Sequence, residues 1–349
     1  MNRRVTSHDV ARLAGVSQST VSLVLNGRVD VRIPEGTRQR VIEAAKELHY
    51  SKNAAARALV TGKTHRIGIV PIGPHSFLEQ GTYYSDLMQG VLQGALQTSY
   101  NLLLHSSYYL DWYALYQDIM GGGADGVLLI GRHPKDELTL ALLEASYPMV
   151  CVSYQPDKEP YLSIDCDNEM GGYLAVQHLL ELGHRRIGYF CGFESNSWVE
   201  DRCQGARRAL AEAGLPNDCL LLLPDSPDSN FTPQSYCEQA LVLLEQTAPP
   251  ITAFIFNYEE GAQQMAEALP EYGIRVPQDV SIISFNSTSV SERSSPTLTS
   301  VWQPLVEIGK TAVEMLIGSV EGNNAPSSVK RFPMRLDIRE SSGPVASPL

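Results

Sequence analysis

The chain has 349 residues, 43% hydrophobic and 19% charged, with 27 Gly and 21 Pro. That is globular composition, with length for two or three domains. Its apolar runs, such as Val127–Ile130 and Ile251–Phe256, have strand length, far short of the ~20 residues that a membrane-spanning helix needs. Met1–Arg12 carries Arg3, Arg4 and Arg12 without the apolar core of a secretory signal, which predicts a cytoplasmic protein. Cys151, Cys166, Cys191, Cys203, Cys219 and Cys237 are widely spaced with no C-x-x-C pair. Reduced thiols are therefore expected, and neither structural zinc nor a disulfide framework.

The net charge of −12 is unevenly placed: residues 1–65 hold 11 Lys+Arg against 5 Asp+Glu, and the remainder 16 against 34. A basic head on an acidic body fits a nucleic-acid module fused to something else. The body would repel phosphates, which confines any DNA contact to the head.

In the head, Thr6 followed by Asp9 reads as a helix N-cap with an acid in the first turn. Val10, Leu13 and Ala14 give that short helix an apolar stripe, and Gly15-Val16 breaks it. Ser17 caps a second helix through Val21, Val24 and Leu25, which stops at Asn26-Gly27. Pro34 opens a third, with Val41, Ile42, Ala45 and Leu48 on one face. Two short helices joined by a Gly-containing turn, then a third, make a helix-turn-helix, whose second helix would lie in the major groove.

Residues Val5–Leu59, "VTSHDVARLAGVSQSTVSLVLNG…TRQRVIEAAKELHYSKNAAARAL", closely resemble the head of the lactose/galactose repressor (LacI/GalR) family. The resemblance runs on through "IGIV" at Ile67, "ADGVLLI" at Ala124, "HLLELGHRRIGYFCG" at His178, "R-x-x-G" at Arg202, "GIRVPQDVSIISFN" at Gly273 and "SPTLTSVWQP" at Ser295. It implies that Gln18, Ser19 and Leu23 face bases. Gln18 suits an adenine or other base edge, and Leu23 offers only apolar contact. Thr20 would help hold the helix on its core, whereas Thr6, Ser17, Ser22 and Asn26 would cap helices or touch phosphates. It also implies a hinge helix over Asn53–Leu59, too short to be stable alone. Two copies would fold in the minor groove, with Leu59 wedged into a base step, Ala56 permitting close approach and Arg57 meeting a phosphate. Lys52 stands where the family usually has Pro.

In the body, strand-like runs (Ile67–Val70, Leu102–His105, Val127–Ile130) alternate with helical ones (Asp86–Thr98, Tyr113–Met120), and the rhythm restarts at Ile187–Cys191 and continues to Ile282–Phe285. Such alternation implies parallel, doubly wound sheets. About 270 residues is too much for one sheet, so two Rossmann-like subdomains are expected, with a ligand between them near strand C-termini. The family fold is of this periplasmic-binding-protein-like kind. The resemblance implies three crossings between lobes, near 163–167, 293–301 and 322–328. The expected organisation is a head over 1–52 and a hinge and linker over 53–65. An N-terminal subdomain follows from 66–164 with 298–324, a C-terminal one from 165–297 with 325–340, and a tail over 341–349.

Enzyme signals are absent. Gly121-Gly122-Gly123 precedes a strand, so it cannot cradle a phosphate, and no G-x-x-x-x-G-K-[ST], H-E-x-x-H or G-x-S-x-G occurs. His178 and His184 flank a helix end and read as capping or packing residues, so neither a metal nor another cofactor is indicated. Most of the aromatic run Tyr108–Tyr116 reads as packing of a helix on its sheet.

For a small-molecule effector, the resemblance nominates Arg202, whose guanidinium suits hydroxyl pairs, carboxylate or phosphate; a salt bridge with Glu200 or Asp201 is the bland alternative. It further nominates Asn257 (followed by Tyr258), Asn286 and Ser153 where the family commonly has Asp, and Gln303. Tyr83, Tyr84, Tyr154, Trp198 and Phe231 would supply aromatic walls. The missing carboxylates favour an acidic or phosphorylated sugar, while an uncharged sugar bound through amides stays open. The tail has no heptad, so a homodimer on a pseudo-palindromic double-stranded DNA operator is expected, without membrane contact. The rival readings are an effector-independent regulator, a cytosolic solute-binding protein and an enzyme using the cleft.

Overall fold

A computed structural model describes residues 5–27, 31–51, 58, 61–71, 81–105, 111–131, 136–154, 162–192, 197–224, 233–246, 249–323 and 329–345. The chain divides into two compact units, Met1–Thr64 and His65–Leu349.

The first unit holds α1 (Ser7–Ala14), α2 (Gln18–Leu25) and α3 (Glu35–Glu47). Thr6 and Asp9 form a reciprocal capping box at the start of α1, and Gly15 ends it at φ +66, a left-handed turn that suits glycine. Ser17 caps α2 by accepting from the Thr20 N–H. Pro34 sits one position earlier than expected, as the N-cap of α3. Val10, Ala11, Ala14, Val21, Val24, Val41, Ala44 and Ala45 form the core, with Ile42 and Leu48 partly buried at its rim. These side chains are small, so the three helices approach closely. Arg40 Nε donates to the Ala14 carbonyl, satisfying one of the orphan acceptors at the end of α1.

The second unit contains two six-stranded sheets among the described residues. The first is built from β1 (Arg66–Pro71), β2 (Asn101–Leu104), β3 (Gly126–Ile130), β4 (Met149–Val152), β5 (Leu162–Cys166) and β11 (Val329–Phe332), in the order β11-β5-β4-β3-β1-β2, all parallel. Helices α4 (Gly81–Leu96), α5 (Trp112–Asp118), α6 (Glu137–Glu144) and α12 (Leu305–Val320) accompany it. The second contains β6 (Ile187–Gly192), β7 (Leu220–Pro224), β8 (Ala253–Phe256), β9 (Ser281–Asn286), β10 (Thr299–Trp302) and β12 (Arg335–Asp337), in the order β12-β10-β9-β8-β6-β7. Only β12 runs antiparallel there. Its helices are α7 (Asn168–Glu181), α8 (Ser197–Glu212), α9 (Pro233–Gln246), α10 (Glu259–Ala268) and the short α11 (Ser289–Arg293).

The inner strands are buried on both faces, and alternate residues serve opposite cores, whereas the edge strands β2, β11 and β12 are partly exposed. Ile67, Ile69, Leu128, Ile130, Ile255, Ile283 and Phe285 join the large cluster that includes residues of α4, α7, α8 and α12. Val127, Leu129 and Cys151 face a second cluster with Leu115 and Leu138, and Phe190, Phe254 and Phe256 face a third with Met265. Trp112 and Tyr116 pack on the second cluster as expected, while Tyr113 is 49% exposed. All six cysteines are free thiols.

Strand pairing corrects the expected subdomain boundaries. Thr299–Trp302 is the fifth strand of the second sheet, paired in parallel with β9, so 298–302 belongs with the C-terminal lobe. Val329–Phe332 pairs with β5 and belongs with the N-terminal lobe. The later crossings therefore fall between Trp302 and Leu305 and between Phe332 and Arg335. The first falls at β5–α7, where it was expected. A short apolar run carries no mark of which sheet will claim it.

The supposed tail is also corrected as far as Val345. Ser341 is fully buried, donates to the Ile282 carbonyl and accepts from the Thr299 N–H. Val345 N–H reaches the Leu182 carbonyl. His184 spans Thr252 Oγ1 (2.8 Å) and the Gly343 carbonyl (3.0 Å), and His178 Nε2 meets Ser342 Oγ at 2.9 Å. Both histidines thus clasp the end of the chain onto the second lobe, and burial lowers the pKa of each.

Candidate functional site

In the head, α2 turns Val21 and Val24 into the core and leaves Gln18, Ser19, Ser22 and Asn26 exposed, with Thr20 and Leu23 half-buried. Gln18 Nε2 donates to Ser7 Oγ at 2.8 Å, which ties the first turn of α2 to α1 and leaves the carbonyl oxygen of this exposed side chain as an acceptor. Ser17 Oγ contacts Ser19 Oγ (2.7 Å) and Thr20 Oγ1 (2.9 Å), and Asn26 Nδ2 donates to Ser22 Oγ. Thr6 is committed to its capping box. Asn53, Ala56, Arg57 and Leu59, like Lys52, lie outside the described residues.

In the second unit, polar side chains collect where strands end, the position at which parallel sheets bind ligands. Ser153 follows β4, Asp165 and Cys166 end β5, Asn257 follows β8, Asn286 ends β9 and Gln303 follows β10. Two of these, Ser153 (φ +59) and Asn286 (φ +99), turn out of their strands with left-handed backbones, as does the adjoining Ser287 (φ +52). Non-glycine residues there are strained, and such strain gathers at functional sites.

Arg202, on α8, is 4% exposed and does not pair with Glu200 or Asp201. Its Nε donates to Asn168 Oδ1 and its Nη1 to Asn257 Oδ1, both at 2.9 Å. The planar group lies 3.9 Å from the Phe285 ring centroid and 4.8 Å from that of Trp198. Such faces attract a cation electrostatically. The Asn257 oxygen is fully used, since Tyr189 Oη also donates to it at 2.8 Å, and one amide proton reaches the Cys191 carbonyl. Asn257 aims Arg202, and its second amide proton has no partner among the described residues. Nη2 of Arg202 makes no hydrogen bond to any described residue.

Beside this cation, Asp165 is 4% exposed. Its oxygens accept from the Cys166 N–H (2.7 Å) and Asn168 Nδ2 (3.0 Å). Burial pushes its pKa up to about 7, against the pull of the Cys166 N–H and the Arg202 charge. Tyr83, at the start of α4, is hydrogen-bonded to Ser153, and burial raises its pKa strongly. Gln303 Nε2 donates to Asn286 Oδ1 (2.6 Å) and its carbonyl accepts from the Cys166 thiol (3.3 Å), so it links the two lobes at a crossing. A second link joins Thr82 to Thr288, whose hydroxyl donates to buried Glu259 at 2.6 Å.

The nominated residues thus come together as Tyr83 with Ser153, Trp198 with Arg202 and Asn257, and Asn286 with Gln303. Tyr84 is a correction: it is buried in the large core cluster. Tyr154 packs against the Leu115–Leu129 cluster. Phe231 lies outside the described residues. Sequence reasoning missed Asp165, Asn168, Tyr189, Phe285, Thr288 and Glu259. Asp165 had a signal: a lone acid closing the buried run "LSIDC", where a charge is retained only with partners. The crevice therefore does hold a carboxylate. Among the described residues no helix is long and apolar enough to cross a membrane, and no group of three His, Cys, Asp or Glu side chains could hold a metal.

A helix-turn-helix in one unit and a polar crevice at strand ends in the other define a ligand-responsive DNA-binding regulator. Residues 6–53 match the model of bacterial regulatory proteins of the lacI family, and residues 176–342 that of a periplasmic binding protein-like domain. The chain is 31% identical over 342 residues to catabolite control protein A of Priestia megaterium, covering 97% of this chain and 99% of the relative. It is 33% identical over 323 residues to the HTH-type transcriptional repressor PurR of Aliivibrio salmonicida (strain LFI1238), covering 90% and 92%. A solved complex of the transcriptional regulator CelR with cellobiose shares 29% identity at a TM-score of 0.71, covering 97% of this chain and 100% of that one. The chain belongs to the lacI family of bacterial regulatory proteins. It is a DNA-binding transcriptional regulator under small-molecule control and not an enzyme.

Proposed function

We propose that this regulator is a cytoplasmic homodimeric repressor of a pseudo-palindromic operator, released or recruited by a carbohydrate held between the two lobes. Gln18, Ser19 and Leu23 read bases; Thr6, Ser17, Thr20, Ser22 and Asn26 set or buttress the helix on the backbone. The observation that carries the effector half is the buried Arg202, aimed by Asn168 and Asn257 with Nη2 left over at the strand ends. The repressor sense is supported by PurR, and the sugar by the cellobiose bound to CelR. A sugar that favours one inter-lobe angle shifts the equilibrium between hinge arrangements, and operator and sugar then influence each other reciprocally.

Selection of operators from a random duplex pool, repeated across salt and with a sugar panel, tests this. The expected outcome is a palindromic winner with a steep salt slope and at least one sugar that shifts its affinity. Enrichment without any sugar response would replace this reading with an effector-independent regulator. Leu59→Ala is expected to weaken operator binding far more than binding to random DNA, and equal losses would remove the minor-groove wedge.

A further inference from the structure

The cleft contains a buried carboxylate that its family pattern of polar residues did not lead us to expect. We propose that Asp165, acting with the unoccupied Nη2 of Arg202, selects an uncharged polyhydroxyl effector and rejects sugar acids and sugar phosphates. This rests on the crevice being the effector site, as proposed above.

Three features of the geometry argue for it. First, Arg202 cannot grip an anion side-on, and one of its two Nη1 protons is already drawn to Asn257. A side-on two-point grip needs Nε and Nη2 together, and the single Nε proton is held by Asn168. The faces of the group are covered by Phe285 and Trp198, which leaves an edge. Second, its positive charge already has a neighbouring carboxylate, because Arg202 acts on Asp165 through space. An anion approaching Nη2 would be desolvated beside Asp165, with Asp201 adding repulsion of the same sign. Third, donors and acceptors match a hydroxyl. A hydroxyl accepts from one group while donating to another. Nη2 is a donor with no described partner, and each Asp165 oxygen accepts one bond here, leaving acceptor capacity. Two vicinal hydroxyls would extend the match to Tyr83 and Ser153, themselves a hydroxyl pair.

Selection of this kind depends on the charge of Asp165. The groups facing it are Arg202 and Asp201 on α8, Tyr83 on α4 and Cys166 on its own strand. Arg331, its register partner on β11, is exposed. Asp165 takes up a proton near pH 7, whereas a uronate stays anionic well below that. Rejection of the uronate relaxes as the pH falls.

The test uses the full-length protein and a panel of neutral mono- and disaccharides, each paired with its uronate and its phosphate ester. Thermal shift finds the pair that binds, and calorimetry measures it at pH 8.5 and 5.5. The expected result at pH 8.5 is a neutral sugar bound at least tenfold more tightly than its uronate, with the gap narrowing at pH 5.5. In Asp165→Asn the gap should be small at both values. The wild-type pH profile stands without the variant should Asp165→Asn fold poorly. An anionic member binding more tightly than its neutral partner would overturn the inference while leaving the effector cleft in place. A gap unchanged by pH and by Asp165→Asn would do the same. A panel in which no sugar of either kind raises the melting temperature would overturn both this inference and the carbohydrate reading beneath it.

Discussion

The two lobes of the second unit use one plan and put it to different ends. Each has the strand order 2-1-3-4-5 and a sixth strand contributed by the end of the chain, parallel in the first lobe and antiparallel in the second. Each also has a helix pair crossing where only glycine fits. In the first, a Cβ on Gly90 of α4 would lie 2.0 Å from the Val306 carbonyl oxygen, and one on Gly309 of α12 would lie 2.2 Å from that of Leu87. In the second, a Cβ on Gly172 of α7 would meet the Arg202 carbonyl oxygen at 1.9 Å, and one on Gly205 of α8 that of Glu169 at 1.7 Å. The obstacles are backbone atoms and cannot swing away. The difference lies in what the crossing carries: α4 with α12 closes a core, whereas α7 with α8 also fixes Arg202 against Asn168. The "R-x-x-G" motif is the buried arginine of the crevice and the contact that seats it.

The sharpest way to break this comparison is one methyl group in each lobe. Gly205→Ala and Gly309→Ala should both destabilise by roughly 1–3 kcal/mol, the range for overpacked cores, seen by calorimetry as melting temperatures lower by several degrees. Only Gly205→Ala should also abolish the effector's action on operator binding; equal loss in Gly309→Ala would end the distinction. Arg202→Ala comes next. It leaves buried Asn168, Asn257 and Asp165 short of a partner, on the order of 3 kcal/mol, and should weaken effector binding by about a hundredfold by titration.

The inter-lobe contacts give smaller effects. Thr288→Val removes a donor from buried Glu259, about 1–3 kcal/mol of stability, whereas Thr82→Val loses only the cross-lobe bond, about 1 kcal/mol. The second should alter effector affinity about fivefold with little change in melting temperature; a large stability loss would make that bond part of a core instead of a lobe contact. Smallest is a slope with pH. Burial raises Asp165 from 3.8 to about 7, so between these values the folded chain holds more protons than the unfolded one. Its contribution to stability therefore declines as pH rises through that window. The wild-type melting temperature should fall relative to that of Asp165→Asn between pH 5 and pH 8, and parallel curves would show that Asp165 titrates normally.

What was legible in the sequence was local. Thr6 with Asp9, Gly15 and Ser17 mark helix ends through contacts a few residues apart, and the structure places them so. The alternation of strands and helices gave the two sheets for the same reason. Residues 298–302 and 329–332 went to the wrong lobes because strand pairing joins segments far apart in the chain, and "TLTSVW" suits either sheet equally. The cleft was legible only by matching positions: Arg202 and Asn257 lie together at the strand ends, but Tyr84 went to the core, since two adjacent tyrosines on a helix face different ways. Asp165 was passed over because its meaning depends on Arg202, 37 positions further along the chain and on another element.

The return of the chain to the first sheet sets the order in which the molecule can be made. Gly90 and the large core cluster wait for α12, and β5 lacks its outer neighbour until Val329–Phe332 arrives. On the ribosome, where segments emerge from the N-terminus onward, the lobe begun first is therefore completed only once Val329–Phe332 is out, after the whole of the second lobe's first five strands. Until then it exposes an apolar helix seat and an open strand edge, surfaces that chaperones bind and that neighbouring nascent chains can pair with. Synthesis halted anywhere before residue 332 would leave a head with its own core attached to a body with an unfinished first lobe.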